Sequence, residues 1–246
     1  MNLRPDRFQL FFAYSRGGPG LKTFIGWNWQ QLPLNVLVAF PFISKLDPSF
    51  QEKPAQMMLD SGAYSAWNSG KVIDIDQLIS ETKKTIWQES ICLDVIGNAE
   101  ESLKNALYMK ENESPAFPVF HIGDPWEILR EYCQQFDRVG LSCRFGESTK
   151  ESMRWAGQCF AREWPHRFHS FGWVAEEALM SYPFATADTA SWERGPAAFG
   201  WWKAFGGQLP AGALRGGRNL GAEVQWYLSL ENRVQGRWNK VLREIQ

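Results

Sequence analysis

At 246 residues with 44% hydrophobic side chains, the chain can bury one substantial core, and a single α/β barrel is ordinary at this length. No apolar run approaches the roughly 18 residues of a membrane span, and the opening MNLRPDRFQLFF has neither a signal core nor a cleavage pattern, so a soluble, cytoplasmic protein is expected. The formal charge of −1 excludes a uniformly basic nucleic-acid binder, and Cys92, Cys133, Cys143 and Cys159 lack the spacing of a zinc knuckle or disulfide framework, which predicts free, buried thiols.

Eight short apolar runs follow one another along the chain: LFFAY (10–14), NVLVAF (35–40), QMML (56–59), SICLDVI (90–96), FPVFHI (117–122), RVGLSC (138–143), FHSFGW (168–173) and PFATADT (183–189). Each is β-branched or aromatic and bounded by Gly, Pro, Ser or Asp, as strands buried on both faces are. Helix-like segments separate most of them. DIDQLISETKKTIWQ puts Ile75, Leu78, Ile79, Thr82 and Ile86 on one face, and AEESLKNALYMKEN does the same with Leu103, Ala106, Leu107 and Lys110. DPWEILREYCQQF opens with Asp124 as an N-cap and Pro125 in the first turn. ESTKESMRWAGQCFARE and VAEEALMSY supply the later connections. Residues 15–34 and 41–55 are weakly helical, which leaves an open sheet as the alternative, but eight alternating units predict a (β/α)8 TIM-like barrel. The Gly-rich segment FGGQLPAGALRGGRNLG (205–221) is expected to be a loop leading into a last amphipathic helix at about 222–243.

In such a barrel the chemistry gathers where the strands end. The residues there are Asp60, Asp94, His121, Ser142, Ser170 to Gly172, and Asp188. A single acid after a strand is usually a cap or a turn. Three in one barrel suggest a shared bowl, because a carboxylate is rarely buried without a partner. Three Asp and one His suit a divalent metal by ligand chemistry, yet no HxxxH or HxH pattern supports one, and no DxD falls at these strand ends. Two carboxylates around a glycosidic bond are the other option, one attacking the anomeric carbon while a neighbour with a raised pKa manages protons.

Charge is unevenly spread. Residues from Arg194 onward carry eight Lys/Arg and three Asp/Glu, a charge of +5, which leaves −6 on residues 1–193. The chain is therefore divided into a catalytic barrel, 1–193, and a basic loop and helix packed on it, 194–246. Arg194, Lys203, Arg215, Arg218 and Arg237 are the candidate phosphate contacts, and Trp192, Trp201 and Trp202 the candidate stacking groups beside them.

Taken in order, several of these segments resemble the queuine tRNA-ribosyltransferases, or tRNA-guanine transglycosylases. MMLDSGAYSAW resembles their Asp-Ser-Gly-Gly-Phe segment, and SICLDVIG the strand with their base-recognising aspartate. PVFHIGDP sits at their Gly/Gln strand end, VGLS resembles their glycine-rich sixth strand, and ATADTASW the strand that ends in their nucleophile. The likeness spans about residues 55–192. The tRNA enzymes carry a zinc site of cysteines and a histidine after the nucleophile, and this sequence has no Cys or His after Asp188. It is more similar to the compact phage and genomic-island relatives that place 7-deazaguanines in DNA.

That resemblance implies a transglycosylase needing no redox cofactor or ATP, and the missing ligand set after Asp188 predicts that it needs no metal. Its partners would be DNA, or tRNA as the alternative, and a free 7-deazaguanine such as the 7-cyano base, with no membrane. Asp188 would be the nucleophile and Asp60 would lie under the exchanged base and handle protons. Asp94 would accept from the guanine N1–H and amino group. Gly62 and Ala63 would leave room for the flat ring beside Ser61 of the base site, His121 would donate to O6, the backbone from Gly140 through Leu141 to Ser142 would do likewise, and Phe171 would line the pocket. A carboxylate-pair nucleosidase or glycoside hydrolase, and an inactive barrel that only binds nucleic acid, are the remaining alternatives.

Overall fold

The computed structural model describes residues 7–14, 34–46, 55–143, 148–194, 196, 200–208 and 217–245. Among these, nine parallel strands form the central sheet: β1 (Gln9–Tyr14), β2 (Asn35–Ala39), β3 (Gln56–Asp60), β4 (Glu89–Ile91), β5 (Ala116–Phe117), β6 (Val119–His121), β7 (Arg138–Ser142), β8 (Arg167–Phe171) and β9 (Thr186–Thr189). Each of the eight apolar runs therefore forms strand. The fifth run is split because Pro118 has no N–H to give the ladder. The sheet order is β5-β4-β3-β2-β1-β9-β8-β7-β6, so its two ends, β5 and β6, are the two sides of Pro118. The Pro118 carbonyl accepts the Gly140 N–H at 2.8 Å, and the ring of strands closes there into a TIM-like barrel.

Around it lie α1 (Ala63–Ser69), α2 (Ile75–Thr82), α3 (Ala99–Glu111), α4 (Trp126–Gln135), α5 (Thr149–Glu163), α6 (Glu176–Ser181), the single turn α7 (Ser191–Arg194) and α8 (Gly217–Ile245). A short 3-10 helix, Phe40–Lys45, follows β2, and a two-stranded hairpin, β10 (Trp201–Trp202) with β11 (Gly207–Gln208), follows α7. Two helix assignments need correction. Asp124 does not cap α4; Pro125 holds that position, and the Asp124 carboxylate accepts the His121 N–H at 2.9 Å. In α3 the buried face is Ser102, Ala106 and Met109, one step round from the expected one, and Lys110 reaches out to the Gln135 carbonyl.

Strand alternation divides the core in two. Phe11, Ala13, Leu37, Met58, Ile91, Phe117 and Val119 fill the barrel, and a larger cluster lies between the strands and the helices. Helix α8 belongs to that outer layer. Val224, Tyr227, Leu230 and Val234 are buried, and Glu231 accepts the Leu10 N–H of β1 at 3.1 Å. The four cysteines are thiols outside any disulfide; Cys92 and Cys159 are buried and Cys133 and Cys143 partly so, and burial pushes the Cys133 thiol up to about 12. Among the described residues no helix is long and apolar enough to cross a membrane.

Candidate active site

The three acids expected at the strand ends do meet. Asp60 closes β3, where its inward register follows from Met58 two residues before it. Its carboxyl is pushed up to about 7, first by burial, then by the negative charges of Asp94 and Asp188; backbone N–H groups of Gly62 and Ser61 pull it partly back. A group that titrates near neutrality can both give and take a proton.

Asp188 lies on β9 opposite Phe11 of β1 and is 6% exposed. Its Oδ1 accepts the Gly172 N–H at 2.7 Å and lies 3.1 Å from His169 Nε2. Gly172 adopts a left-handed conformation (φ +64°) as the chain leaves β8, and this turn brings its amide to Asp188. Asp94 follows β4, and its Oδ2 is 2.9 Å from His121 Nε2 at the end of β6. The expected donation from His121 to a purine O6 meets a competitor here, because Asp94 engages that nitrogen.

Other expected contacts have different roles. Gly62 is left-handed (φ +79°), and a Cβ there would come within 2.3 Å of Pro41 Cδ. The space expected for a flat ring is thus filled by Pro41, and the glycine allows the turn and that close approach. Ser61 is fully buried and its Oγ accepts the Ala63 N–H at 3.4 Å, starting α1. Gly140 lies inside the barrel against Val119 and Phe117, with its N–H already given to Pro118, and Leu141 points into the outer core. Of that trio only Ser142, partly exposed at the strand end, is near the mouth. Phe171 packs on the inner cluster, its ring 5.9 Å from that of His169.

The basic candidates separate as well. Arg194 is exposed at the end of α7, and Lys203 is exposed in the hairpin with its amine 5.7 Å above the Trp226 ring. Arg215 lies outside the described residues. Arg218 falls in the first turn of α8, not in a loop. Arg237 donates its Nε–H to the Met180 carbonyl at the end of α6, and Arg233 pairs with Glu176 at 3.1 Å. Arg237 lies about 25 Å along α8 from Leu220 at the helix rise of 1.5 Å per residue, so it braces the barrel wall far from the start of the helix. Trp192 and Trp202 are core residues, 0% and 4% exposed, and Trp192 donates to the Ala13 carbonyl; of the three tryptophans, Trp201 alone is open to a ligand.

Two features are not apparent in the sequence. His169, fully buried inside β8, touches Asp188; its inward register relative to Thr186 of β9 is readable, but a histidine between aromatics resembles core packing. Tyr64 and Trp67, 52% and 61% exposed on the helix after Asp60, have ring centroids 6.2 Å apart. They lie within MMLDSGAYSAW, but exposure cannot be read from a seven-residue helix. Among the described residues no group of three or more His, Cys, Asp or Glu is arranged to hold a metal ion.

No protein-family model matches the chain, and no curated protein sequence matches it. Solved structures do align over most of its length. The YdjI aldolase of Escherichia coli K12 is 11% identical, covering 94% of this chain and 90% of its own, with a TM-score of 0.47. A structure described as native KDPGal is 10% identical, covering 91% and 94%, with a TM-score of 0.47. The fructose-bisphosphate aldolase of Campylobacter jejuni is 12% identical, covering 96% and 89%, with a TM-score of 0.41.

Proposed function

We propose that this chain is a guanine transglycosylase that exchanges guanine in DNA for a 7-deazaguanine. The observation that carries the proposal is the convergence of three strand-end acids in one bowl, with Asp60 raised to about 7 beside Asp94 and Asp188. One acid suited to proton transfer next to a second suited to attack is the pairing that glycosidic exchange requires. The ordered likeness of residues 55–192 to the transglycosylases supports the same choice.

In this mechanism Asp188 Oδ2 attacks C1′ of the target nucleotide as the C1′–N9 bond breaks. The bonding electrons go to the purine, which leaves with a proton taken from Asp60. The incoming deazaguanine returns that proton to Asp60, its ring nitrogen attacks C1′, and the aspartyl ester opens. Two inversions preserve the β linkage and no oxidant or reductant is consumed. Asp94, oriented by His121, accepts the two donors of the guanine edge and so disfavours adenine. The target nucleotide must leave the duplex to reach these groups. Tyr64 and Trp67 offer exposed rings for its unstacked neighbours.

The test is nucleoside mass spectrometry of plasmid DNA and tRNA from cells that express the chain and are supplied with a free 7-deazaguanine. Deazaguanine in DNA is the expected result. Its appearance only in tRNA selects the tRNA enzyme, guanine release without replacement selects a nucleosidase, and unchanged nucleic acids select a binding barrel.

A further inference from the structure

A line of polar side chains climbs the inside of the barrel to Asp188. At its lower end Arg138 of β7 pairs with Glu89 of β4. Arg138 Nη1 lies 3.5 Å from Thr186 Oγ1, which is 2.7 Å from His169 Nδ1, and His169 Nε2 is 3.1 Å from Asp188 Oδ1. Thr186 and Asp188 alternate on β9 and His169 is the register partner of Thr186, so all three face inward. His169 is 0% exposed and Thr186 1%.

Donor accounting fixes the direction of these bonds. A guanidinium only donates, so the Thr186 oxygen accepts from Arg138. If that oxygen also accepted from His169, the buried hydroxyl hydrogen would have no acceptor among the described residues, an arrangement folded proteins avoid. The hydroxyl therefore donates to Nδ1. In the neutral ring the proton is then on Nε2 and is given to Asp188 Oδ1. The charged groups facing the imidazole are Arg138 from β7 and Asp188 from β9, with Glu89 of β4 behind Arg138. The rings of Phe117 and Phe171, 5.6 and 5.9 Å away, cover other sides.

We infer that His169 is a positioning residue whose ring, set through Arg138 and Thr186, holds Asp188 by Oδ1 and leaves Oδ2 to meet the substrate carbon. Together with the Gly172 N–H it gives Oδ1 two donors, while among the described residues Oδ2 has no hydrogen-bond partner. His169 has its proton committed to the carboxylate and its lone pair to Thr186, so it serves as a clamp and not as a base. The role rests on Asp188 being the reacting carboxylate of the function proposed above; the tautomer does not.

The experiment is 15N NMR of the full chain labelled at histidine, at pH 8. The chain has only His121, His166 and His169, so His121→Asn and His166→Asn assign the signals. The expected spectrum for His169 has a pyridine-like Nδ1 and a pyrrole-like Nε2. Thr186→Val should release the ring to a mixture of tautomers and Thr186→Ser should restore the wild-type signals. A proton on Nδ1 in the wild type overturns the inference, whether or not Thr186→Val folds, and so does an unchanged tautomer in a folded Thr186→Val. In the exchange assay, His169→Gln keeps an amide donor and should retain at least about a tenth of kcat, whereas His169→Leu should lose roughly 100-fold in kcat with KM nearly unchanged. Equal losses in both would make the side chain a packing residue. A wild-type protein without exchange activity would overturn the proposed function and leave the tautomer result standing.

Discussion

His121 Nε2 lies 2.9 Å from Asp94 Oδ2, joining the end of β6 to the loop after β4 at the mouth of the barrel. The pair gives a carboxylate that is oriented before any base arrives. Asp94→Asn replaces one acceptor oxygen by a donor and should weaken binding of a free 7-deazaguanine by about 100-fold, the scale of a lost charged hydrogen bond. His121→Ala leaves the acceptor but not its orientation and should cost about 10-fold or less. Calorimetry of base binding separates the two; equal losses would return His121 to direct contact with the base.

Asp60 predicts a pH dependence with a definite sign. Its carboxyl is raised from 3.8 to about 7 on folding, so between those values the native state holds a proton that the unfolded chain has released. This group's contribution to stability therefore falls as pH rises from about 4 to about 7 and is flat beyond. Asp60→Asn should be close to wild type in stability near pH 4 and more stable at pH 8, by at most a few kcal/mol. Urea unfolding at the two pH values measures it; a constant difference would mean that Asp60 is not strained by its neighbours.

Asp188→Asn should abolish base exchange with the fold retained, because the amide oxygen can still accept from Gly172 and His169. A variant that keeps more than about a tenth of the rate, a loss below roughly 1.4 kcal/mol of barrier, would remove Asp188 from the mechanism. Trapping of DNA on the wild type and not on the variant is the complementary readout.

Gly62→Ala should destabilise the protein by about 2–4 kcal/mol, combining left-handed strain with the collision against Pro41. Gly70 is left-handed too (φ +65°), but a methyl group added there would meet nothing within 4 Å, so Gly70→Ala should cost only about 1 kcal/mol. Comparing the two unfolding midpoints isolates the Pro41 contact.

Salt titration tests the basic surface. Neutralising Arg194 and Lys203 together should lower the log–log salt slope of DNA affinity by about 2. Arg237→Gln should leave the slope unchanged, since its guanidinium is spent on the Met180 carbonyl. A reversed result would place the phosphates along the flank of α8.

The strands are legible in the sequence because buried parallel strands have a compact signature, continuous apolar runs between turn residues. The acids are legible because they end those runs. What escapes is relative placement. Nothing in HSF announces that His169 faces Asp188, nor does DSG reveal that Pro41, far away in sequence, occupies the glycine's open side. Nor does a basic tail reveal which of its arginines braces a neighbouring helix: Arg237 and Arg194 look alike until α8 is laid along the barrel. These are contacts between elements, and local composition does not encode their partners.

Strand β1 hydrogen-bonds on one side to β2 and on the other to β9, pairing Gln9 with Thr186. Strand β1 must therefore wait for β9, made much later in the chain, before its second edge is covered. Until residues 186–189 emerge, QLFFAY exposes a row of unpaired backbone groups beside very apolar side chains. Such long-range closure slows folding and lengthens the interval in which the edge can pair with another chain. Yield in the cell should thus depend on how quickly the nascent β1 strand is shielded. Substitutions that weaken the β1–β9 seam should be seen first as aggregation during synthesis, before any loss of activity in the molecules that fold.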